Sequence, residues 1–297
     1  MRLLKRNNYD LGEKKMIKKS LMLVFISILT LSLVACGTSN SGSDKDKKSE
    51  NNEKLEVKTT VYPLKSFAQQ IGGKYVHVES IYPNGMDPHT YEPSQKQMVD
   101  IGKSDLFVYT GDNLDPVAKK IANAMNDKNK TLSLESSLNK TDVLKGEEDE
   151  HEHGEHVEHE EHEHHHGKYD PHVWLDPVLN QKFAFMIKEK LIEKDPKHQA
   201  YYNKNYKIVN KDIVHIDQQL QSITKHSKRD KVVISHDSLG YLAHRYGFKQ
   251  QGVKGMNDEE PSQKEILNIV KDIKHSHAPY VLYEQNMSPK ITDVIKK

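Results

Sequence analysis

Six apolar side chains, Tyr206, Val209, Ile213, Ile216, Leu220 and Ile223, recur three and four residues apart without a break. That spacing draws one stripe along a helix from about His198 to Lys225. At 1.5 Å per residue the helix is roughly 40 Å long, long enough to reach across two lobes. The run is short for an independent coiled-coil seam. The chain must therefore fold around one long helix whose partners lie elsewhere in the same sequence.

On both sides of that helix, strand-like and helical patterns alternate. Glu56–Val61 predicts a strand, Leu64–Ile71 a helix and Val76–Tyr82 a strand. Ser94-Gln95-Lys96-Gln97 has capping-box spacing and starts a helix to Gly102. Asp105–Tyr109 follows as a strand and Leu114–Met125 as a helix. Asp176 can cap a helix with Pro177 in its first turn, running to about Ile192. Past the long helix, Lys231–Ser235 is a strand, Leu239–Tyr246 a helix and Gln250–Val253 a weaker strand. Ser262 caps a helix to about Lys274, Tyr280–Tyr283 is a strand, and Lys290–Lys297 begins a helix. Strands that alternate with helices imply parallel α/β units.

Two related motifs punctuate this pattern. One is Asp87-Pro88-His89-Thr90-Tyr91-Glu92-Pro93; the other is Asp170-Pro171-His172-Val173-Trp174-Leu175-Asp176-Pro177. Proline fixes its own φ and biases the residue before it toward extended geometry, so each imidazole sits on a stiffened loop. A single such turn would read as a Pro-rich corner whose histidine only hydrogen-bonds. Two of them, 83 positions apart, point to a metal site assembled from distant segments, because neutral imidazole is the commonest ligand of zinc-like ions. His236 joins them: it ends the apolar strand Val232-Val233-Ile234-Ser235, and α/β sheets bind ligands at the carboxyl ends of strands.

The N-terminus bears on location. Met16-Ile17-Lys18-Lys19 opens a basic start, followed by an apolar stretch and Leu33-Val34-Ala35-Cys36. This is the pattern of a secretory signal, with Met16 as the alternative start. Cys36 is the sole cysteine, so the chain has no intramolecular disulfide. Leu-Val-Ala-Cys-Gly resembles a bacterial lipoprotein cleavage box, which makes Cys36 the lipidated residue; two acyl chains suffice for stable anchoring. Residues 37–54 are polar and read as a flexible tether. Formal net charge is +1, but the first 35 residues hold seven Lys/Arg and two acids, which leaves 37 basic against 41 acidic side chains. A mature chain of that balance argues against a nucleic-acid partner.

Residues 147–166 hold eight histidines (His151, His153, His156, His159, His162, His164, His165 and His166) among ten acids, one Gly and one Val. Such a segment cannot build a core, and it can collect metal weakly at several points just upstream of His172.

Asp-Pro-His-x-Tyr-Glu-Pro, Asp-Pro-His-Val-Trp-Leu-Asp-Pro and Ser-His-x-x-x-x-Tyr-Leu-x-x-Arg-Tyr-Gly together resemble the metal-binding cluster of ABC-transporter solute-binding proteins. The resemblance covers roughly residues 55–297 and is to the zinc branch, the AdcA/ZnuA-like lipoproteins. It implies an α/β fold of two α/β lobes joined by a long rigid helix. The boundaries are a signal peptide at 1–36, a tether at 37–54, an N-terminal lobe at 55–196, the linking helix at 197–228 and an incomplete C-terminal lobe at 229–297. It also implies His89, His172 and His236 as the metal ligands, Zn²⁺ as the ion, and an ABC permease of a zinc importer as the partner. The protein is then a lipid-anchored monomer on the extracellular face of a Gram-positive membrane. Manganese-binding relatives carry a carboxylate where His236 stands; three imidazoles favour zinc, though copper or nickel would also suit them. Zinc needs neutral imidazoles, so affinity is expected to fall steeply below about pH 6.

The family's fourth ligand comes from a loop well past the third histidine, and the chain reads as C-terminally truncated before that loop. Glu284 is the nearest carboxylate and a weak substitute. Asp87 and Asp170 are placed to orient loop backbone or neighbouring rings. Three histidines plus water is also a catalytic zinc arrangement. There is, however, no His-Glu-x-x-His helix and no nucleophile–base pair in the sequence, so a zinc hydrolase ranks below a binding protein. A manganese-binding or adhesin-type lipoprotein of the same family is the remaining alternative.

Overall fold

A computed structural model describes residues 54–83, 86, 88, 91–146, 168–256, 261–276 and 280–284, all within one unit spanning Asn52–Lys297. The signal segment, Cys36, the tether, His89, Asp87, the His-rich segment and the helix foreseen at 290–297 lie outside the described residues.

Two parallel sheets carry the architecture. The first contains β1 (Leu55–Thr59), β2 (Val76–Ser80), β3 (Leu106–Tyr109) and β4 (Thr131–Ser133) in the order β2-β1-β3-β4. Every neighbouring pair is parallel; Val57, for example, faces Val78 on one side and Leu106 on the other. Parallel neighbours require crossovers. These contain α1 (Tyr62–Gly72), α2 (Gln95–Gly102) and α3 (Pro116–Met125). β3 is buried along its whole length, which is why Leu106-Phe107-Val108-Tyr109 is continuously apolar rather than alternating. The second sheet has the order β6-β5-β7, from β5 (Lys231–His236), β6 (Lys249–Lys254) and β7 (Val281–Leu282), again all parallel. Between β5 and β6 lies α6 (Gly240–Tyr246), and α7 (Gln263–Ser276) precedes β7. Gly247 closes α6 with φ 72°, the left-handed conformation that favours glycine.

Helices start where the sequence places their caps. Ser94 Oγ accepts from Gln97 N at 3.3 Å while Gln97 Oε1 accepts from Ser94 N at 2.8 Å. Asp176 Oδ1 accepts from Val178 N at 2.8 Å and opens α4 (Pro177–Lys194) with proline in its first turn.

The long helix, α5, runs from Gln199 to Lys225, within a residue of its predicted limits. Its apolar stripe is not buried evenly. Tyr202, Val209 and Ile213 are buried with Phe183, Ile187 and Leu191 of α4 and Leu64 and Ile71 of α1. Asn205 Nδ2 also donates to the carbonyl of Ile71 at 3.0 Å. Further along, Ile216 is 48% and Ile223 65% exposed. The reason is reach: α1 and α4 pack with the part of α5 that holds Tyr202, Val209 and Ile213, and further along, among the described residues, Tyr246 of α6 donates to Asp217 at 2.8 Å. The main core thus belongs to the first sheet and its helices. A smaller cluster, Val233 and Val253 with Ile269, Val270, Ile273 and Val281, sits between the second sheet and α7.

Candidate metal centre

His236 is the last residue of β5 and is 3% exposed. His172 immediately precedes a single 3-10 turn, Val173–Leu175, and is 2% exposed. The two lie 64 positions apart, yet their Nε2 atoms are 3.2 Å from each other, with ring centroids 5.2 Å apart.

Each ring is held from behind by a carboxylate. Asp170 Oδ1 accepts from His172 Nδ1 at 2.8 Å and from the His172 backbone N–H at 2.9 Å, so the Asp-Pro-His turn folds its own acid onto its own imidazole. Glu284, two residues past β7, places Oε1 3.0 Å from His236 Nδ1. The Ser238 hydroxyl donates to the same oxygen at 2.9 Å, and Glu284 N donates to Ser235 Oγ at 3.3 Å. Burial pushes the Glu284 carboxyl up; the hydrogen bond and charge of His236, helped by the Ser238 hydroxyl and the charge of His172, outweigh it and hold the group below the usual glutamate range.

These contacts decide what the pair can do. An ionised carboxylate accepts only, so the hydrogen bond to Asp170 calls for a proton on His172 Nδ1, and the 3.0 Å ion-pair contact with Glu284 favours one on His236 Nδ1. In the neutral form that zinc requires, each Nε2 presents a lone pair toward the other. Two lone pairs at that distance repel unless a proton or a metal cation lies between them. Two imidazole ligands on one tetrahedral zinc, with Zn–N of about 2.0–2.1 Å, have nitrogens about 3.3–3.4 Å apart. The observed 3.2 Å is close to that spacing, and it is also the length of an Nε2–H···Nε2 hydrogen bond, so the pair can hold either a proton or a metal ion.

Neighbouring contacts tie the two histidine segments together. The Tyr241 hydroxyl, on α6, donates to the Asp170 carbonyl at 2.8 Å and accepts from Leu144 N at 3.2 Å. Arg245 Nε donates to both oxygens of Asp176 at 2.7 Å, and Asp176 holds that guanidinium above its ordinary pKa. Trp174 stands edge-on to His172, with centroids 5.3 Å apart. Leu144 also accepts from Asp170 N at 2.9 Å, and Lys145 bridges Tyr169 in antiparallel fashion. Residues 146 and 168, which flank the His-rich segment, are therefore adjacent and lie close to Asp170.

Two of the three predicted ligand histidines are thus brought together. His89 and the histidines at 151–166 lie outside the described residues; among the described residues, no third His, Cys, Asp or Glu joins the pair as a metal-holding group. The flank of the first motif is nonetheless anchored. Tyr91 is buried edge-on against Tyr82, whose hydroxyl donates to Asp115 at 2.9 Å. Glu284, weighed as a fourth ligand, sits instead on the far nitrogen of His236. Three further residues escaped the sequence reading. Tyr241 and Arg245 stand in the Ser-His motif, but nothing local shows that their partners are Asp170 and Asp176. Gly240 has no side chain to signal its role: a Cβ there would lie 2.5 Å from Asp170 Oδ2. The remaining described histidines are structural or exposed; His198, for instance, stacks on Tyr75 and bonds to Asp195.

Residues 57–297 match the family described as "Zinc-uptake complex component A periplasmic". The chain is 32% identical over 281 residues to the high-affinity zinc uptake system protein ZnuA of Bacillus subtilis, covering 94% of this chain and 85% of that protein. It is 30% identical over 280 residues to the zinc-binding lipoprotein AdcA of Streptococcus pneumoniae, covering 94% of this chain but only 53% of that longer protein. The solved Zn(II)-bound AdcA from Streptococcus pneumoniae superposes with a TM-score of 0.65 at 28% identity, over 82% of this chain and 49% of that one.

Proposed function

The chain belongs to the family of zinc-uptake complex component A proteins, and from that premise we propose that it captures Zn²⁺ outside the membrane and delivers it to an ABC permease. Its family consists of uptake components rather than enzymes, so a hydrolase reading is set aside. In this reading His172 and His236 bind the ion through Nε2, and His89 supplies the third imidazole from the first Asp-Pro-His motif. The fourth position is filled by water or by a ligand outside the described residues. Cys36 carries the lipid anchor, residues 37–54 form the tether, and the segments 55–196 and 229–297 act as the two lobes around the helix at 197–228. The protein works as a monomer. The histidines at 151–166 collect zinc, and the described flanks of that segment, residues 146 and 168, lie close to Asp170.

One observation carries the reading: two buried imidazole Nε2 atoms 3.2 Å apart, each ring backed by a carboxylate. Zinc bound there is cargo, and its release requires the ligands to separate or to protonate.

The test is a chelator-competition zinc titration of the whole chain beside His89→Ala, His172→Ala and His236→Ala. The reading predicts one tight site that each substitution weakens by orders of magnitude, over a background of weaker sites that none of them changes. Tight binding that survives both His172→Ala and His236→Ala would place capture elsewhere.

A further inference from the structure

We propose that Asp170 and Glu284 are positioning residues that set the tautomer and aim of the two histidines, and that Glu284 acts on His236 rather than on the metal. This rests on the zinc-capture reading above and adds residues to it.

The geometry for Glu284 is specific. Its Oε1 lies on the Nδ1 side of the His236 ring, at 3.0 Å, while Nε2 faces His172. The two ring nitrogens point in diverging directions, so an oxygen that holds Nδ1 is directed away from an ion bound at Nε2. Two serines hold Glu284 in place, one by its side-chain oxygen and one by its backbone. Ser238 donates to it at 2.9 Å, and Ser235 accepts from the Glu284 backbone at 3.3 Å. Ser235-His236-Asp237-Ser238 therefore forms one cradle at the end of β5, into which the end of β7 delivers its carboxylate.

Asp170 does the same for His172 by a different route. It grips both the backbone N–H and Nδ1 of His172, and its own carbonyl accepts from Tyr241 on the His236 side of the site. Asp170 is 1% exposed, so the carboxylate has no solvent to turn to. Together the two acids favour Nδ1–H on both rings, which turns both Nε2 atoms toward the ion. Carboxylates behind metal-bound histidines typically contribute ten- to hundredfold in affinity.

The experiment uses the whole chain and compares Glu284→Ala, Glu284→Gln and Asp170→Asn with wild type in zinc competition and in ¹⁵N NMR of the histidine rings without zinc. Positioning predicts about a ten- to hundredfold affinity loss in Glu284→Ala. It also predicts partial recovery in Glu284→Gln, whose amide oxygen still accepts from Nδ1–H, and a smaller loss in Asp170→Asn for the same reason. In the zinc-free spectra, Nδ1 should be protonated on both rings in wild type, and Glu284→Ala should lower the Nδ1–H population of the His236 ring while that of His172 stays. A merely structural role would leave the tautomers unchanged. Equal losses in Glu284→Gln and Glu284→Ala with an unmoved tautomer would make Glu284 a ligand and overturn the proposal. So would wild-type affinity in Glu284→Ala while His172→Ala and His236→Ala abolish binding, a result that leaves zinc capture intact. Loss of nothing in the two histidine variants would instead defeat zinc capture itself.

Discussion

Replacing Gly240 by alanine perturbs the site without touching a ligand. The new Cβ would sit 2.5 Å from Asp170 Oδ2, about an ångström inside ordinary contact. The far end of a flexible side chain could step aside, but this carboxylate is pinned by two hydrogen bonds from His172 and by burial. Overpacking at such a point costs about 1–3 kcal/mol. Alanine offers a helix-propensity gain of at most about 1 kcal/mol over glycine, and less at the first residue of α6. The net effect on stability is therefore a loss of roughly 1–2 kcal/mol, measurable as a lower urea midpoint at unchanged slope. The effect on zinc is the sharper readout. Displacing Asp170 releases His172 Nδ1, and affinity should fall about tenfold or more in chelator competition. A Gly240→Ala protein that binds zinc within twofold of wild type would refute the idea that Asp170 is held in place by this close approach.

Three other perturbations separate parts of the fold. Ile213→Ala should cost about 2–4 kcal/mol in chemical denaturation, whereas Ile223→Ala, on the same stripe but mostly exposed, should stay within about 0.5 kcal/mol; equal costs would contradict the half-buried helix. Arg245→Ala leaves the buried Asp176 carboxylate without its guanidinium and should cost about 1–3 kcal/mol, less than a fully buried pair because Arg245 is itself about one-third exposed. A loss below 0.5 kcal/mol, judged against the cap of α4 that Asp176 also provides, would show that the cap alone matters. Burial pushes the Asp115 carboxyl up, against the hydrogen bonds from Ala118 N and Tyr82 that favour its charge. A raised carboxylate binds its proton more tightly folded than unfolded. Its ionisation therefore removes stability as pH climbs through the carboxylate range. Asp115→Asn keeps the helix cap and should flatten the fall in stability as pH rises above the ordinary aspartate range of about 4; a steeper profile in the variant would reverse the sign.

The alternation of strands and helices was legible because each crossover carries its own local signals. Ser94 with Gln97, and Asp176 with Pro177, mark helix starts through contacts only three residues long. The histidine pair was legible for a related reason: one residue ends an apolar strand and the other follows a proline, and the resemblance joined them. β4 was not foreseen. Thr131-Leu132-Ser133 is three residues, each half-buried, and only its pairing with Phe107–Tyr109 makes it a strand. The uneven burial of α5 was equally invisible, since Ile213 and Ile223 occupy equivalent places in one periodic pattern and differ only in which helices pass them. Glu284 shows the same limit at the site. Its place just after the strand Tyr280–Tyr283 offered it as a possible ligand; only the ring it faces, and the side of that ring, assign it to Nδ1. Local chemistry reads from sequence, and long-range approach does not.

The most direct test of the central claim is anomalous diffraction at the zinc edge from crystals of the zinc-loaded chain. The account predicts an ion about 2.0–2.1 Å from both His172 Nε2 and His236 Nε2, with Asp170 and Glu284 still on the Nδ1 side of each ring. An anomalous peak elsewhere, with no density between these two imidazoles, would contradict it.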